Sequence, residues 1–343
     1  MNTNKKTYDL LSLGEILLRL SPPGNERIER GNAFQKQVGG AELNVVSGVS
    51  QLGLYTGMIS RLPANSLGTY AKNQIRFCGV SDDYLIYDSS AGARLGLYYY
   101  ESGAYPRKPA VVYDRQNSSF CGITPDEFPE ELYASTRCFH TSGITLGLTE
   151  NTRKTGIEMI KRFKEHGALI SFDVNYRMNL WSGQEARSCI ESILPYVDIF
   201  FCSEDTARLT FGKTGDIHSI LWEFTREYPI SIVASTRRIV HSPKVHSFGS
   251  LIYQAKQNRF YMEDPYRNIE VVDRIGSGDA YVAGVLYGLL SSDFDCQRAL
   301  EYGNAASAVK NTVPGDLASC SNQEITQIIR EHQAGSAQSE MNR

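Results

Sequence analysis

Short apolar runs alternate along this chain with longer segments whose apolar residues recur at helical spacing. Residues 9–15 (DLLSLGE), 57–60 (GMIS), 138–144 (CFHTSGI), 168–175 (ALISFDVN), 197–203 (VDIFFCS) and 231–236 (SIVAST) read as buried strands. Between them, AELNVVSGVSQLG, NTRKTGIEMIKRFKEHG and GQEARSCIESILPYV place apolar side chains on one helical face. Strand followed by helix, repeated, predicts an α/β fold with a mostly parallel sheet covered on both faces. Two regions, 16–38 and 92–115, break the rhythm. They are rich in β-formers and turn residues with no helical pattern between, and predict a small β appendage. The tyrosines at 98–100 give that appendage either a face that meets a ligand or another subunit, or an ordinary amphipathic strand. The polar end, 333–343 (QAGSAQSEMNR), is expected to be disordered.

Composition narrows the partners. A chain of 343 residues, 41% hydrophobic and 21% charged, suits one large domain, expected over 8–332. A net charge of −3 offers no general attraction for nucleic acid or an anionic membrane, so an anionic ligand must be held by a local device. Seven cysteines with no Cys-x-x-Cys pair argue against both a disulfide framework and a zinc site. No apolar stretch reaches membrane-spanning length, and the polar start lacks a long apolar run. The expectation is a cytoplasmic protein that acts on small molecules.

Chemistry concentrates in IGSGDAY, residues 275–281. IEVVD (269–273) before it reads as a strand, and AYVAGVLYGLL (280–290) after it is apolar on nearly every face, as a buried helix would be. A glycine loop opening a helix leaves backbone N–H groups unpaired at the positive end of the dipole, so Gly276, Ser277 and Gly278 form an anion hole. Asp279 at that end either caps the helix or serves as a base. A phosphoryl group beside a carboxylate that can take a proton from an attacking hydroxyl is the geometry of a kinase. Two other phosphate motifs fail on spacing. Tyr281 stands where a dinucleotide fingerprint needs its third glycine, and Ala207 where a Walker loop needs its first, which leaves Lys213 as a helix-end cation.

With these residues in view, the chain resembles the ribokinase-like (PfkB) carbohydrate kinases. Their late signature D-x-x-G-x-G-D is matched by Asp273, Gly276, Gly278 and Asp279, and their earlier glycine-pair signature is similar to GGAELNVVSGVSQLG (39–53). HTSGITLGLT (140–149), FDVNYRMNLW (172–181), VVYDR (111–115) and VKNTVPGD (309–316) resemble stretches of the 2-keto-3-deoxygluconate kinases within that family. The resemblance implies a three-layer α/β/α domain with a small β-sheet lid, and ATP-dependent phosphorylation of 2-keto-3-deoxygluconate with ATP and Mg2+ as cofactors. It implies Asp279 as base, the 276–278 loop as anion hole, and Gly39, Gly40, Asn44, Tyr99, Arg177 and Asp316 at the sugar. Asn175, Ser203, Ser235 and Arg237 are expected on the nucleotide side with Gly276 and Gly278, and a homo-oligomer is expected through the lid.

Some of these assignments have a physical reading of their own. Asn175 and Arg177 follow a predicted strand, where open α/β sheets bind ligands, and a guanidinium holds a carboxylate through two hydrogen bonds. The competing reading pairs Arg177 with Asp173. Gly39 and Gly40 allow close backbone approach or simply a turn, and Asn44 offers donor and acceptor. Asp316 follows Pro314-Gly315 and by itself reads as a turn residue, and Tyr99 as a strand residue.

Three stretches depart from the family pattern. Ser203 and Thr206 stand where Asn-x-x-Glu is common, so the magnesium ligands stay open. Glu101 stands where some relatives carry arginine, with Arg107 and Arg115 as possible replacements. The stretch 234–253 carries a basic insertion with Arg237 and Arg238. Glu101 favours a different acceptor, fructose or 5-keto-2-deoxygluconate. A non-catalytic sugar-binding protein on the same fold is the remaining alternative.

Overall fold

A computed structural model describes residues 6–335; the last helix ends at Gln333, and residues 336–343 of the tail expected to be disordered lie outside the described residues. The strands in chain order are β1 (Tyr8–Leu13), β2 (Leu17–Ser21), β3 (Gln35–Gly39), β4 (Thr56–Pro63), β5 (Ser81–Asp88), β6 (Gly96–Glu101) and β7 (Ala110–Asp114). There follow β8 (Thr136–Ser142), β9 (Leu169–Asp173), β10 (Ile199–Phe201), β11 (Ile232–Ser242), β12 (Val245–Gln254), β13 (Arg259–Met262) and β14 (Tyr266–Glu270). The large sheet has the order β13-β12-β11-β10-β9-β8-β1-β4-β5, with β14 also paired to β12. From β5 to β11 every pairing is parallel, and β12 to β14 add an antiparallel edge.

The apolar runs form these strands because both of their faces are covered. Leu11, Phe139, Ile170 and Phe200 pack on one side, against helices such as Glu150–Glu165 and Gly183–Ile193. Their neighbours Leu10, Cys138 and Ile199 pack on the other, with the helices Ala41–Gln51 and Ser277–Leu290. This is the period-2 alternation of a sheet between two helical layers. Local signals set the helix starts: Ser182 and Glu185 form a reciprocal capping box, and Asn65 accepts from the amides of Leu67 and Gly68. Among the described residues no helix is long and apolar enough to cross a membrane.

A second sheet, β3-β2-β6-β7, stands apart from the first. All five residues of its edge strand β7 are exposed. The fold is therefore the α/β architecture expected, a mostly parallel sheet with a small separate sheet.

Two elements differ from the sequence reading. IEVVD is strand only as far as Glu270, because the amides of Val272 and Asp273 turn away to donate to the carbonyl of Asn311 at 2.8 and 3.1 Å. A helix end has carbonyls without partners, and satisfying one of them here carries the chain off the sheet and over its edge. β11 also runs six residues beyond SIVAST. It pairs with β10 only over 232–234 and then continues with β12 as a ribbon whose other edge carries β14.

Candidate active site

A cavity of about 440 Å³ opens where β9 and the loop before Ser277–Leu290 meet the small sheet. It gathers Gly40, Asn44, Asn175, Arg177, Gly276, Ser277, Gly278, Asp279 and Asp316 from positions far apart in sequence. Gly39 lies just behind, where a Cβ would collide with the Asp316 carboxylate.

The loop is knotted from below. The buried Asp273 accepts from the amides of Ile275 at 3.0 Å and Gly315 at 3.1 Å, and from Arg19 at 2.6 Å. Gly276 is left-handed, with φ 81°, and a side chain there would strike the carbonyl of Asp316. A Cβ on Gly278 would meet nothing within 4 Å. The Ser277 amide is already used, donating to Arg274 O at 3.2 Å, and the Ala280 amide donates to Gly276 O. Among the described residues the amides of Gly278 and Asp279 have no such carbonyl partner, so two donors stay open at the positive end of the helix.

Asp279 does not cap this helix. The N-cap is Gly276, and the Asp279 Oδ2 atom instead accepts from Asn44 Nδ2 at 2.6 Å. Burial pushes its carboxyl up to about 6, against the Asn44 hydrogen bond and the nearby charge of Arg177. Asp173, at the end of β9, is pushed up to about 7 by burial and by the charge of Asp279, and accepts from the amide of Asn175 at 3.1 Å. Arg177 has not paired with Asp173: it donates to its neighbour's carbonyl, Tyr176 O, at 3.1 Å. Among the described residues no carboxylate lies within ion-pair reach of it.

Other expected residues lie elsewhere. Tyr98, not Tyr99, lines the cavity and donates to Asp316 Oδ2; Tyr99 points to the opposite face of β6 and meets Phe34 edge-on. Alternation along β6 separates the two, but which set faces inward depends on how the small sheet docks. Ser203 and Thr206 line an adjoining cavity of about 200 Å³ with Asp173, Asn175, Arg177, Thr236 and Gly278. Ser235 and Arg237 are not in either of these; they line a further cavity along the ribbon. Glu101 turns away from the first cavity, pairs with Arg107 and accepts from the amide of Ile28 at 2.9 Å. Arg115 lines the cavity but is tied to Glu15. Lys213 sits just past the helix Glu204–Phe211 and pairs with Glu223 and Glu227.

Arg19 escaped the sequence reading. Carried on β2, it is 4% exposed and bonds Asp273 at 2.6 Å and Asp316 at 2.8 Å, with its guanidinium over the ring of Tyr100. No motif marks it, because its partners lie about 250 to 300 residues away in sequence.

The model of the pfkB family of carbohydrate kinases matches residues 8–323. The chain belongs to that family. This PfkB kinase is 35% identical over 329 residues to the 2-dehydro-3-deoxygalactonokinase of Haloferax volcanii, covering 96% of this chain and 99% of that protein. It matches the crystal structure of 2-dehydro-3-deoxygluconokinase from Thermotoga maritima with a TM-score of 0.89 and 33% identity, over 94% of this chain and 99% of that one. A candidate ribokinase II from E. coli, in complex with ATP and Mg2+, shares the fold at TM-score 0.82 and 21% identity, over 95% and 100%. The protein is a sugar kinase of ribokinase-like fold.

The chemistry of the site fits a nucleotide-borne Mg2+. Among the described residues no three His, Cys, Asp or Glu side chains cluster as a self-contained metal site. Mg2+ in kinases keeps several waters and takes one or two carboxylates plus phosphate oxygens. Asp173, beside the open amides and lining both cavities, is such a carboxylate.

Proposed function

We propose that this kinase transfers the terminal phosphoryl group of ATP to the primary hydroxyl of 2-keto-3-deoxygluconate, or of a closely related 2-keto-3-deoxy sugar acid. The observation that carries this reading is Asp279. It is a carboxylate at the start of a helix that is not spent on capping, is fixed by Asn44, and lies beside two open amides. The Haloferax volcanii and Thermotoga maritima relatives, 35% and 33% identical, bear names of 2-keto-3-deoxy sugar acid kinases.

In this mechanism Asp279 orients the hydroxyl and accepts its proton as the oxygen attacks in line. The amides of Gly278 and Asp279 stabilise charge on the group in transfer. Asp173, with Asn175, Ser203 and Thr206, faces the nucleotide side, and Mg2+ when bound neutralises charge between phosphates. Arg177, with no carboxylate within 4 Å among the described residues, takes the acid group of the sugar. Leu17, Val111 and Tyr113 of the small sheet cover the acceptor and exclude water that would compete with it. The exposed β7, with Val112 56% exposed, supports pairing of two copies through the lid, and the reduced thiols suit a cytoplasmic protein.

Glu101 was the feature favouring a different acceptor, fructose or 5-keto-2-deoxygluconate. Its pairing with Arg107, outside the cavity, removes that support. The test is a coupled ADP-release assay over acidic and neutral sugars. The expected result is kcat/KM at least tenfold higher for 2-keto-3-deoxygluconate than for fructose; equal values, or sugar binding without ADP, would overturn the reading.

A further inference from the structure

Besides Arg115, three guanidinium groups line the acceptor cavity: Arg177 after β9, Arg238 on the β11–β12 ribbon, and Arg274 in the loop between Asp273 and Gly276. They arrive on separate elements, and among the described residues none of them has a carboxylate within 4 Å. Arg19 and Arg115, by contrast, are each tied to an acid.

Arg238 feels the charge of the other two. Burial, then the charges of Arg274 and Arg177, lower the affinity of Arg238 for its proton, and Arg238 and Arg274 together help depress His246. Gathered like charges with no ion-pair partner within 4 Å raise the free energy of an empty site, and an anion relieves it. The pleat of β11 decides which arginine takes part. Arg237 and Ile239 face one cavity, whereas Arg238 faces the acceptor cavity between Asp279 and the small sheet. Arg177 lines both the acceptor cavity and the one holding Ser203 and Thr206; Arg238 and Arg274 line only the first of these two.

We propose that Arg238 and Arg274 complete, with Arg177, a three-guanidinium oxyanion site on the acceptor side, and that its ligand is the carboxylate of the sugar acid. The proposal rests on the sugar-acid reading above. A terminal phosphate of the nucleotide has the same oxyanion chemistry, so the two sources are separated by experiment.

The variants are Arg238→Met, Arg274→Met and Arg238→Lys, each compared with wild type by thermal melting. Calorimetry without nucleotide titrates 2-keto-3-deoxygluconate and, separately, tripolyphosphate into each protein; steady-state assays give KM for sugar acid and for ATP. Charge-assisted hydrogen bonds of this kind carry tenfold or more in affinity each. The expected result is a tenfold or larger rise in Kd and KM for the sugar acid in both Met variants, with KM for ATP within twofold and partial recovery in Arg238→Lys. A rise in KM for ATP and in Kd for tripolyphosphate, with the sugar acid unchanged, overturns the carboxylate assignment in favour of phosphate. No change in either overturns the site. If wild type binds the sugar acid tightly but releases no ADP, the kinase reading fails while the calorimetric comparison still decides the site.

Discussion

Asn44 holds Asp279: the amide nitrogen of one lies 2.6 Å from the carboxylate oxygen of the other, across 235 residues of sequence. This bond favours the ionised carboxylate against the burial that raises its pKa. Asn44→Leu removes it without adding charge. The expected outcome is an acidic limb of the pH–kcat/KM profile that shifts upward from about 6, with kcat lowered at pH 6.5 more than at pH 8.5.

Asp279→Asn keeps the shape and removes the proposed base. Proton transfer by a placed side chain contributes about 10²- to 10⁴-fold, so kcat should fall by at least about 100-fold. Stability should move the other way. A carboxyl whose pKa is raised on folding keeps its proton more firmly in the native state, so ionising it costs stability as pH rises from near 4 through about 6. The Asn variant escapes that cost. Its melting temperature should exceed that of wild type at pH 8 and match it near pH 4.

The two loop glycines should separate fold from function. Gly276→Ala forces a side chain into a left-handed backbone and against the Asp316 carbonyl, so both activity and melting temperature should fall. Gly278→Ala meets no protein atom within 4 Å. It should melt like wild type yet raise KM for ATP several-fold, because its methyl group stands where the proposed mechanism brings the nucleotide.

Arg19 joins the small sheet to the loop. Arg19→Leu leaves the buried acids Asp273 and Asp316 without their cation, a change that costs about 3–5 kcal/mol when a buried pair is broken on one side. Urea unfolding should show that loss. Arg19→Lys, keeping the charge without the planar fork, should recover part of it.

Glu101→Gln should leave KM for 2-keto-3-deoxygluconate unchanged, since the side chain pairs with Arg107 and does not line the cavity. A lowered KM for the acidic sugar would mean that its charge reaches the site.

The sequence by itself determined the architecture, the position of the glycine loop and the place of Asp279 at its end. Those signals are local: period-2 and period-3.6 apolar spacing, and a Gly-x-Gly-Asp run at a strand-to-helix junction, are legible wherever they occur. It also placed Gly40, Asn44, Arg177 and Asp316, which the fold brings around one cavity. Only the tertiary structure decided that Tyr98 rather than Tyr99 turns inward, that Arg238 and Arg237 part company on opposite faces of a ribbon, and that Arg19 binds Asp273 and Asp316. The first two depend on which face of a strand meets the core, a choice fixed by docking and not by alternation alone. The last depends on burial, which makes one arginine on β2 the counter-ion of acids at the far end of the chain.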